Sequence, residues 1–341
     1  MSFGNDAETI PRARRSAGTP RACRVLAVLL LAFASVCPEA HAYPSRVQVF
    51  VANSGSDNVT VYDTRMQQVV ATVRVGHSPV GVGAAPDGDR VYVTNELSDT
   101  VSVIDAHTYS TVATVPVGLH PFGVAVAGSH AYVTNFGADT VSVLDTAANT
   151  VVGEIPVGRF PHSPAASPDR RRVYVTDNGA ATVSVIDVAS DQVVATLPVG
   201  RFPAGIAVSP AGDRVYVAAT GANSVNAISA SGPTLMTTQP VGQVPMGIAV
   251  TPRGQVYVAN AGSGTVTVLG RNQPVSIPVQ NEPEGVAAAP DSSYVFVTNS
   301  ASGSMSVIDI ATTPSSRPCP WAANRKVWLS LRDPRSRETD N

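Results

Sequence analysis

The body of this chain has no cysteine and no lysine. Cys23, Cys37 and Cys319 are the only cysteines in 341 residues, and none falls within residues 43–313. That excludes a disulfide framework, a Cys-x-x-Cys-His haem site and a cysteine-ligated zinc site for the body. A domain of this size can bury enough apolar surface without disulfides. The one lysine is Lys326, and residues 43–313 set 12 arginines against 19 acids. A lysine-free acidic body is a poor partner for a phosphate backbone, because such binding rests on counterion release by Lys and Arg. Nucleic acid is therefore not an expected partner. Charged residues make up only 14% and hydrophobic ones 44%, which is too apolar for a disordered chain. There is no Gly-x-Ser-x-Gly elbow, no His-Glu-x-x-His and no phosphate loop. No cofactor motif is present, and no cofactor is expected.

The N-terminal residues read as an export signal. Arg12, Arg14, Arg15, Arg21 and Arg24 form a basic region before an apolar run of twelve, residues 25–36. Ala40-His41-Ala42 then supplies a small-x-small cleavage site. The run is too short to span a bilayer as a stable helix. The residues after Arg14-Arg15 lack the twin-arginine pattern, and Val36 before Cys37 fits a lipoprotein site poorly. Residues 1–42 are thus expected to direct general secretion to the periplasm or beyond, leaving no membrane span. The basic region is long, and the true start could lie downstream of Met1.

The body repeats. A Val-aromatic-Val triplet, with Ala131 for the first Val in one copy, centres on Phe50, Tyr92, Tyr132, Tyr174, Tyr216, Tyr257 and Phe296, at intervals of 42, 40, 42, 42, 41 and 39. Val-Gly recurs at Gly76, Gly118, Gly158, Gly200 and Gly242. A Pro recurs at 79, 121, 161, 203, 245 and 283, followed two residues later by Gly in five of six cases. Three markers in one phase over seven copies indicate a solenoid, a propeller or an array. Residues 121–158 read as four short strands, at 122–126, 131–134, 140–144 and 150–156, separated by Gly, Ala, Thr and Asn turns. Val, Thr, Tyr and Ile dominate them, as suits a packed pleated surface. No amphipathic helix lies between repeats. Four strands in about 40 residues is the arithmetic of a propeller blade. The expected fold over 43–312 is an all-β, seven-bladed propeller of four-stranded antiparallel blades.

Tyr92-Val93-Thr94-Asn95 and Tyr132-Val133-Thr134-Asn135 spell one motif outright, and Phe296 to Asn299 varies it conservatively. Ala207 to Pro210 and Ala84 to Gly88 look like its flanking hairpin. On these residues the chain resembles the YVTN-repeat β-propellers over residues 47–310. The resemblance implies an exported seven-bladed protein. Tyr216-Val217-Ala218-Ala219 and Asp177 depart from the pattern.

Strand counting leaves a gap. The first unit starts at its second strand and the last stops after its third, giving 26 strands where seven full blades need 28. The missing pair should come from the tail, 313–341, which is basic and lacks the repeat. Ring closure is accordingly expected to be incomplete. A one-base shift of frame from Pro314 to Arg332 permits Ala-Val-Val-Ala-Thr-Val-Pro-Val-Gly-Gly-Lys-Pro-Lys-Gly-Val-Ala-Val-Ser-Pro, the phrase seen at 192–200 and 203–210. Trp321-Ala322, which lacks wobble freedom on the tryptophan side, forces the Gly that this phrase needs, and Trp328-Leu329 permits its Ala. The tail reads either as a frameshift product or as a genuine irregular segment.

In a propeller, the loop entering each blade and the loop between its second and third strands share one face. That mouth collects His77, His120 and His162, with Arg159, Arg201, Glu282 and Glu284, beside Phe122, Phe160 and Phe202. Polar groups converging with aromatics on a concave mouth make the default ligand site; loop drift would look the same. The expected ligand set is Arg159, His162, Arg201, His120, His77, Phe122 and Glu284. The three histidines come from three blades, so no metal site is expected. Arg159 and Arg201 could clamp a carboxylate or phosphate, or be plain surface arginines. Asp63, Asp105, Asp145, Asp187 and Asp309 recur at strand ends, which argues for turn chemistry. The repeat Asn has the same character, bonding backbone at a strand end.

These observations favour a monomeric binding or scaffolding module, with an unknown protein or small-molecule ligand at the mouth. The alternative is a lactonase-like hydrolase acting on a small sugar lactone in the central channel, with Glu284, His162 and Arg159 as the candidate catalytic residues. An accessory propeller of a redox complex is a third reading, which no motif supports.

Overall fold

The structure is a computed structural model that describes residues 47–232, 234–270, 273–312 and, as backbone strands, 316–319 and 329–332. The export signal expected at 1–42 lies outside the described residues. Seven four-stranded antiparallel sheets follow one another along the chain. Blade two shows the pattern, with inner strand Pro79–Ala84, then Arg90–Asn95, Thr100–Asp105 and outer strand Ser110–Pro116. Its two middle strands are buried and its outer strand is largely exposed. Middle strands lie between neighbouring blades, so both their faces are covered. This accounts for apolar runs without strict alternation. The strands read at 121–158 appear as Pro121–Ala127, His130–Asn135, Thr140–Asp145 and Thr150–Pro156, differing only at their ends.

The repeated aromatic is the wedge between blades. Tyr92 packs against Val133 and Leu144 of blade three, and Tyr132 against Val173 and Ile186 of blade four. The residues flanking each aromatic point the other way, as period-two geometry requires, so Val91 and Val93 pack against Phe50 of blade one. Six of the seven aromatics are almost fully buried, and Tyr216 is partly buried. Burying such a ring contributes about 1.5–3 kcal/mol. Phe296 of blade seven packs with Val49, Val51 and Tyr62 of blade one, which joins the two ends of the ring.

The Pro-x-Gly marker has a steric reason. Each described inner strand from blade two to blade seven shifts register just after its Pro, as between Pro79 and Val82. At this bulge neighbouring inner strands nearly touch. A Cβ on Gly81 would sit 2.3 Å from the Phe122 carbonyl oxygen, and one on Gly247 would sit 2.1 Å from that of Glu284. Thr94 spans the same gap: its Oγ1 accepts from Gly81 N–H at 2.7 Å and donates to the Phe122 carbonyl at 2.7 Å. Thr134 and Thr176 do likewise toward the His162 and Ala204 carbonyls. The Thr of Val-Thr-Asn is thus the blade-to-blade hydrogen bond beside the channel.

The strand count corrects one expectation. Ser316–Cys319 pairs with Ser304–Asp309 as the outer strand of blade seven, and Leu329–Arg332 pairs with Gln48–Asn53 as the inner strand of blade one. All seven sheets are four-stranded and the ring is closed. A sheet edge offers free backbone donors and acceptors whatever side chains the added strand carries. The tail therefore fills both edges without the repeat pattern. Pro318 opposes Ser306 as Thr196 opposes Ser184, so the outer addition keeps the phase of the repeat.

Candidate functional site

The mouth is built from tight loops with one recurring device. Ser78, His120, Phe160, Phe202, Val244 and Glu282, each just before the repeat Pro, sit at φ of +48° to +53°. Non-glycine residues rarely adopt this conformation, and strain of this kind clusters at functional loops. Asp57, Asp99, Asp139 and Asn223 hold four of the six. Each lies in a loop of the preceding blade and accepts the backbone N–H 21 residues on, at 2.8–2.9 Å. These side chains pin each blade entry to its neighbour.

Blades seven, one and two open onto a cavity of about 870 Å³. Asp57, His77, Ser78, Glu96, Glu282 and Glu284 line it, with Leu97 and Ser300. His77 Nδ1 lies 2.8 Å from Asp57 Oδ2, while Asp57 Oδ1 accepts Ser78 N–H at 2.9 Å. The Ser78 amide and the His77 ring hold the Asp57 carboxyl below the usual carboxylate range. Ionised Asp57 selects the His77 tautomer with its proton on Nδ1 and leaves Nε2 for proton transfer. Ser78 Oγ lies 3.4 Å from Glu96 Oε2, and Ser300 Oγ lies 3.4 Å from Glu282 Oε2.

Two of the expected ligand residues, His77 and Glu284, meet in this cavity; the others do not line it. His162 is buried in blade four, with its ring 3.9 Å from that of Phe122 and Nδ1 3.0 Å from Ser163 Oγ. Arg159 and Arg201 are exposed and reach back to the Gly179 and Gly221 carbonyls at 3.3 and 3.5 Å. His120 supplies backbone bonds at the entry of blade three. Glu284 and His162 belong to blades three apart in a ring of seven, so one small molecule meets them together only by spanning the channel. Blades three to five instead carry an apolar arc: Phe136 stacks on Phe160 at 5.1 Å, and Phe160 and Phe202 are 44% and 55% exposed. Among the described residues, no three His, Cys, Asp or Glu side chains are close enough together to hold a metal ion.

Asp57, Ser78 and Glu96 were missed in the sequence. Composition held a signal for one of them. Residues 43–313 contain four glutamates, and three of these, Glu96, Glu282 and Glu284, line the cavity. The recurring strand-end aspartates do cap turns: Asp105 and Asp145 each accept the N–H groups two and three residues on. Those bonds, above all from Thr108 and Ala148, lower both carboxyl pKa values. The repeat Asn also behaves as read, with Asn95 Oδ1 accepting Gly76 N–H while Nδ2 donates to Thr100 and Ser102.

Among solved structures, hydrazine synthase from Kuenenia stuttgartiensis is similar over 77% of this chain and 92% of its own, at 24% identity and a TM-score of 0.71. A candidate 6-phosphogluconolactonase from Bacteroides fragilis is similar over 86% and 100%, at 14% identity and 0.73. Another from Bacteroides uniformis is similar over 84% and 99%, at 17% identity and 0.72. At these identities the likeness is one of fold. No curated protein matches the chain. The sequence pattern of the lactonase family of seven-bladed β-propellers matches residues 37–196 and 190–277, and the chain belongs to that family.

Proposed function

We propose that this chain is a lactonase-like hydrolase that opens a small lactone in the cavity spanned by blades seven, one and two. The binding or scaffolding module favoured by the sequence is corrected by the family match, which is to lactonases. The observation that carries the hydrolase reading is the meeting of Glu284 with the His77–Asp57 pair in one cavity. Cavities of several hundred Å³ with a few convergent polar groups are the usual form of a small-molecule site.

The chemistry follows from those groups. Glu284 takes a proton from water as the water oxygen bonds to the lactone carbonyl carbon and the carbonyl electrons move to oxygen. Collapse of the tetrahedral species breaks the bond from acyl carbon to ring oxygen. The proton taken by Glu284 passes to Nε2 of His77, whose ring Asp57 orients through Nδ1, and from there to the departing ring oxygen. The product is the open hydroxy acid. In this assignment His77 takes the place of His162 and Arg159. Proton transfer by a placed side chain contributes about 10²–10⁴-fold. Glu284→Gln and His77→Ala are each expected to lower kcat/KM for gluconolactone at least a hundredfold, with little change in melting temperature. Unchanged turnover in both variants would overturn the assignment, and no turnover of any lactone by the parent chain would overturn the function.

The finer YVTN-repeat assignment and export from the cytoplasm belong to the same proposal. The Tyr-Val-Thr-Asn phrases and the basic-then-apolar leader with its Ala-His-Ala site support them. A mature chain whose mass begins at Tyr43 is the check on export.

A further inference from the structure

We infer that the substrate of this site is an uncharged lactone and that phosphorylated sugar lactones are rejected. This rests on the hydrolase reading above and names the class of substrate. Asp57, Glu96, Glu282 and Glu284 bring four carboxylates to the cavity lining, with His77 as the one basic side chain among the described residues that line it. That His77 is already committed to Asp57 at 2.8 Å. No arginine or lysine is among the described lining residues. The two arginines singled out on the mouth, Arg159 and Arg201, stand on other blades and are turned to the Gly179 and Gly221 carbonyls.

A phosphate monoester carries about −1.5 to −2 charges at neutral pH and is held by Arg forks, Lys or helix N-termini. The described lining offers none of these. The net charge acts in the same direction, with 12 arginines against 19 acids over residues 43–313 and six basic groups against three acids over 314–341, which leaves −4. A cleft of one sign raises or lowers the local concentration of a charged ligand by about 10–10³-fold. A neutral lactone enters such a cleft without penalty. Its hydrolysis creates a carboxylate, which the four acids then repel. One charge pattern thus admits the substrate and expels the product.

The experiment compares gluconolactone with 6-phosphogluconolactone at low and high salt, using the full chain, Glu96→Gln and Glu282→Gln. The expected result is a preference for the unphosphorylated lactone of at least tenfold in kcat/KM at low salt. Salt should narrow the preference by screening, as should each substitution. Equal or better use of the phosphorylated lactone at low salt overturns the inference. A second readout separates it from the hydrolase reading: binding of two fluorescent probes of one scaffold, bearing a quaternary ammonium or a phosphate. If neither lactone is hydrolysed but the cationic probe binds more tightly and Glu282→Gln weakens it, the hydrolase reading falls and the charge selectivity stands. Anionic preference, or binding of neither probe, removes the selectivity as well.

Discussion

Asp177 shows what one changed atom does in a repeated motif. In blades two and three the equivalent Asn donates from Nδ2 to two hydroxyls, as Asn135 does to Thr140 and Ser142. Asp177 has no donor there, so the hydroxyls reverse: Thr182 and Ser184 donate to Oδ2 at 2.8 Å, while Oδ1 still accepts Gly158 N–H. Burial raises its pKa despite those bonds. A buried acid with a raised folded pKa supports the fold fully below its unfolded value, and that support is lost as pH rises through the folded value. The neutral amide of Asp177→Asn has no such loss. Asp177→Asn is therefore expected to melt higher than the parent at neutral and alkaline pH, with the gap shrinking in acid. A gap that stays constant with pH would refute this account.

At the scale of the element, the sequence showed which strands exist but not what ties them together. The aromatic period and the Pro-x-Gly marker were visible because every blade repeats them. The Thr bond between blades was not, because its acceptor is a backbone carbonyl about 28 residues away with no side-chain signature, such as Phe122 O for Thr94. Blades one, five and six provide the contrast, with Ala52, Ala218 and Ala259 at the Thr position. Thr134→Val keeps the shape but strands the Gly123 N–H and the His162 carbonyl, both bonded to Thr134 Oγ1. Leaving a buried donor or acceptor unmade costs about 1–3 kcal/mol. Thr134→Val should lower stability by that order in denaturant melts. The reverse change, Ala218→Thr, faces the close approach of Gly205 to the Met246 carbonyl and should raise stability by about 1 kcal/mol. Equal midpoints for Thr134→Val and its parent would show that the bond contributes nothing.

At the scale of the molecule, the ring was legible and the site only half so, for one reason. A symmetric fold repeats its scaffold, and a site on it is built from residues that break the repeat. Glu284 occupies a position held elsewhere by Val80, Phe122, His162, Ala204 and Met246, and Asp57, His77 and Glu96 of its cavity come from the opposite end of the chain. Only closure of blade seven against blade one unites Asp57 with Glu284. That closure rests on two strands of four residues, Ser316–Cys319 and Leu329–Arg332; the outer strands of blades one to five have six or seven residues and that of blade six, Val275–Pro278, has four, while the inner strands of blades two to seven have six or seven. The two closing strands fall in the stretch where a shifted frame would restore the repeat phrase. A frame lost near Thr312–Thr313, one of the two readings of the tail, would account for both its basic composition and its lack of the repeat. A chain carrying the restored phrase over 314–332 should therefore melt above this one and aggregate less, since longer strands cover the exposed edges of blades seven and one more completely. Because the cavity spans that seam, its kcat/KM for a neutral lactone should rise as well. Equal melting temperatures for the two chains, or genomic DNA that reads intact through the tail, would count the tail as the native closure.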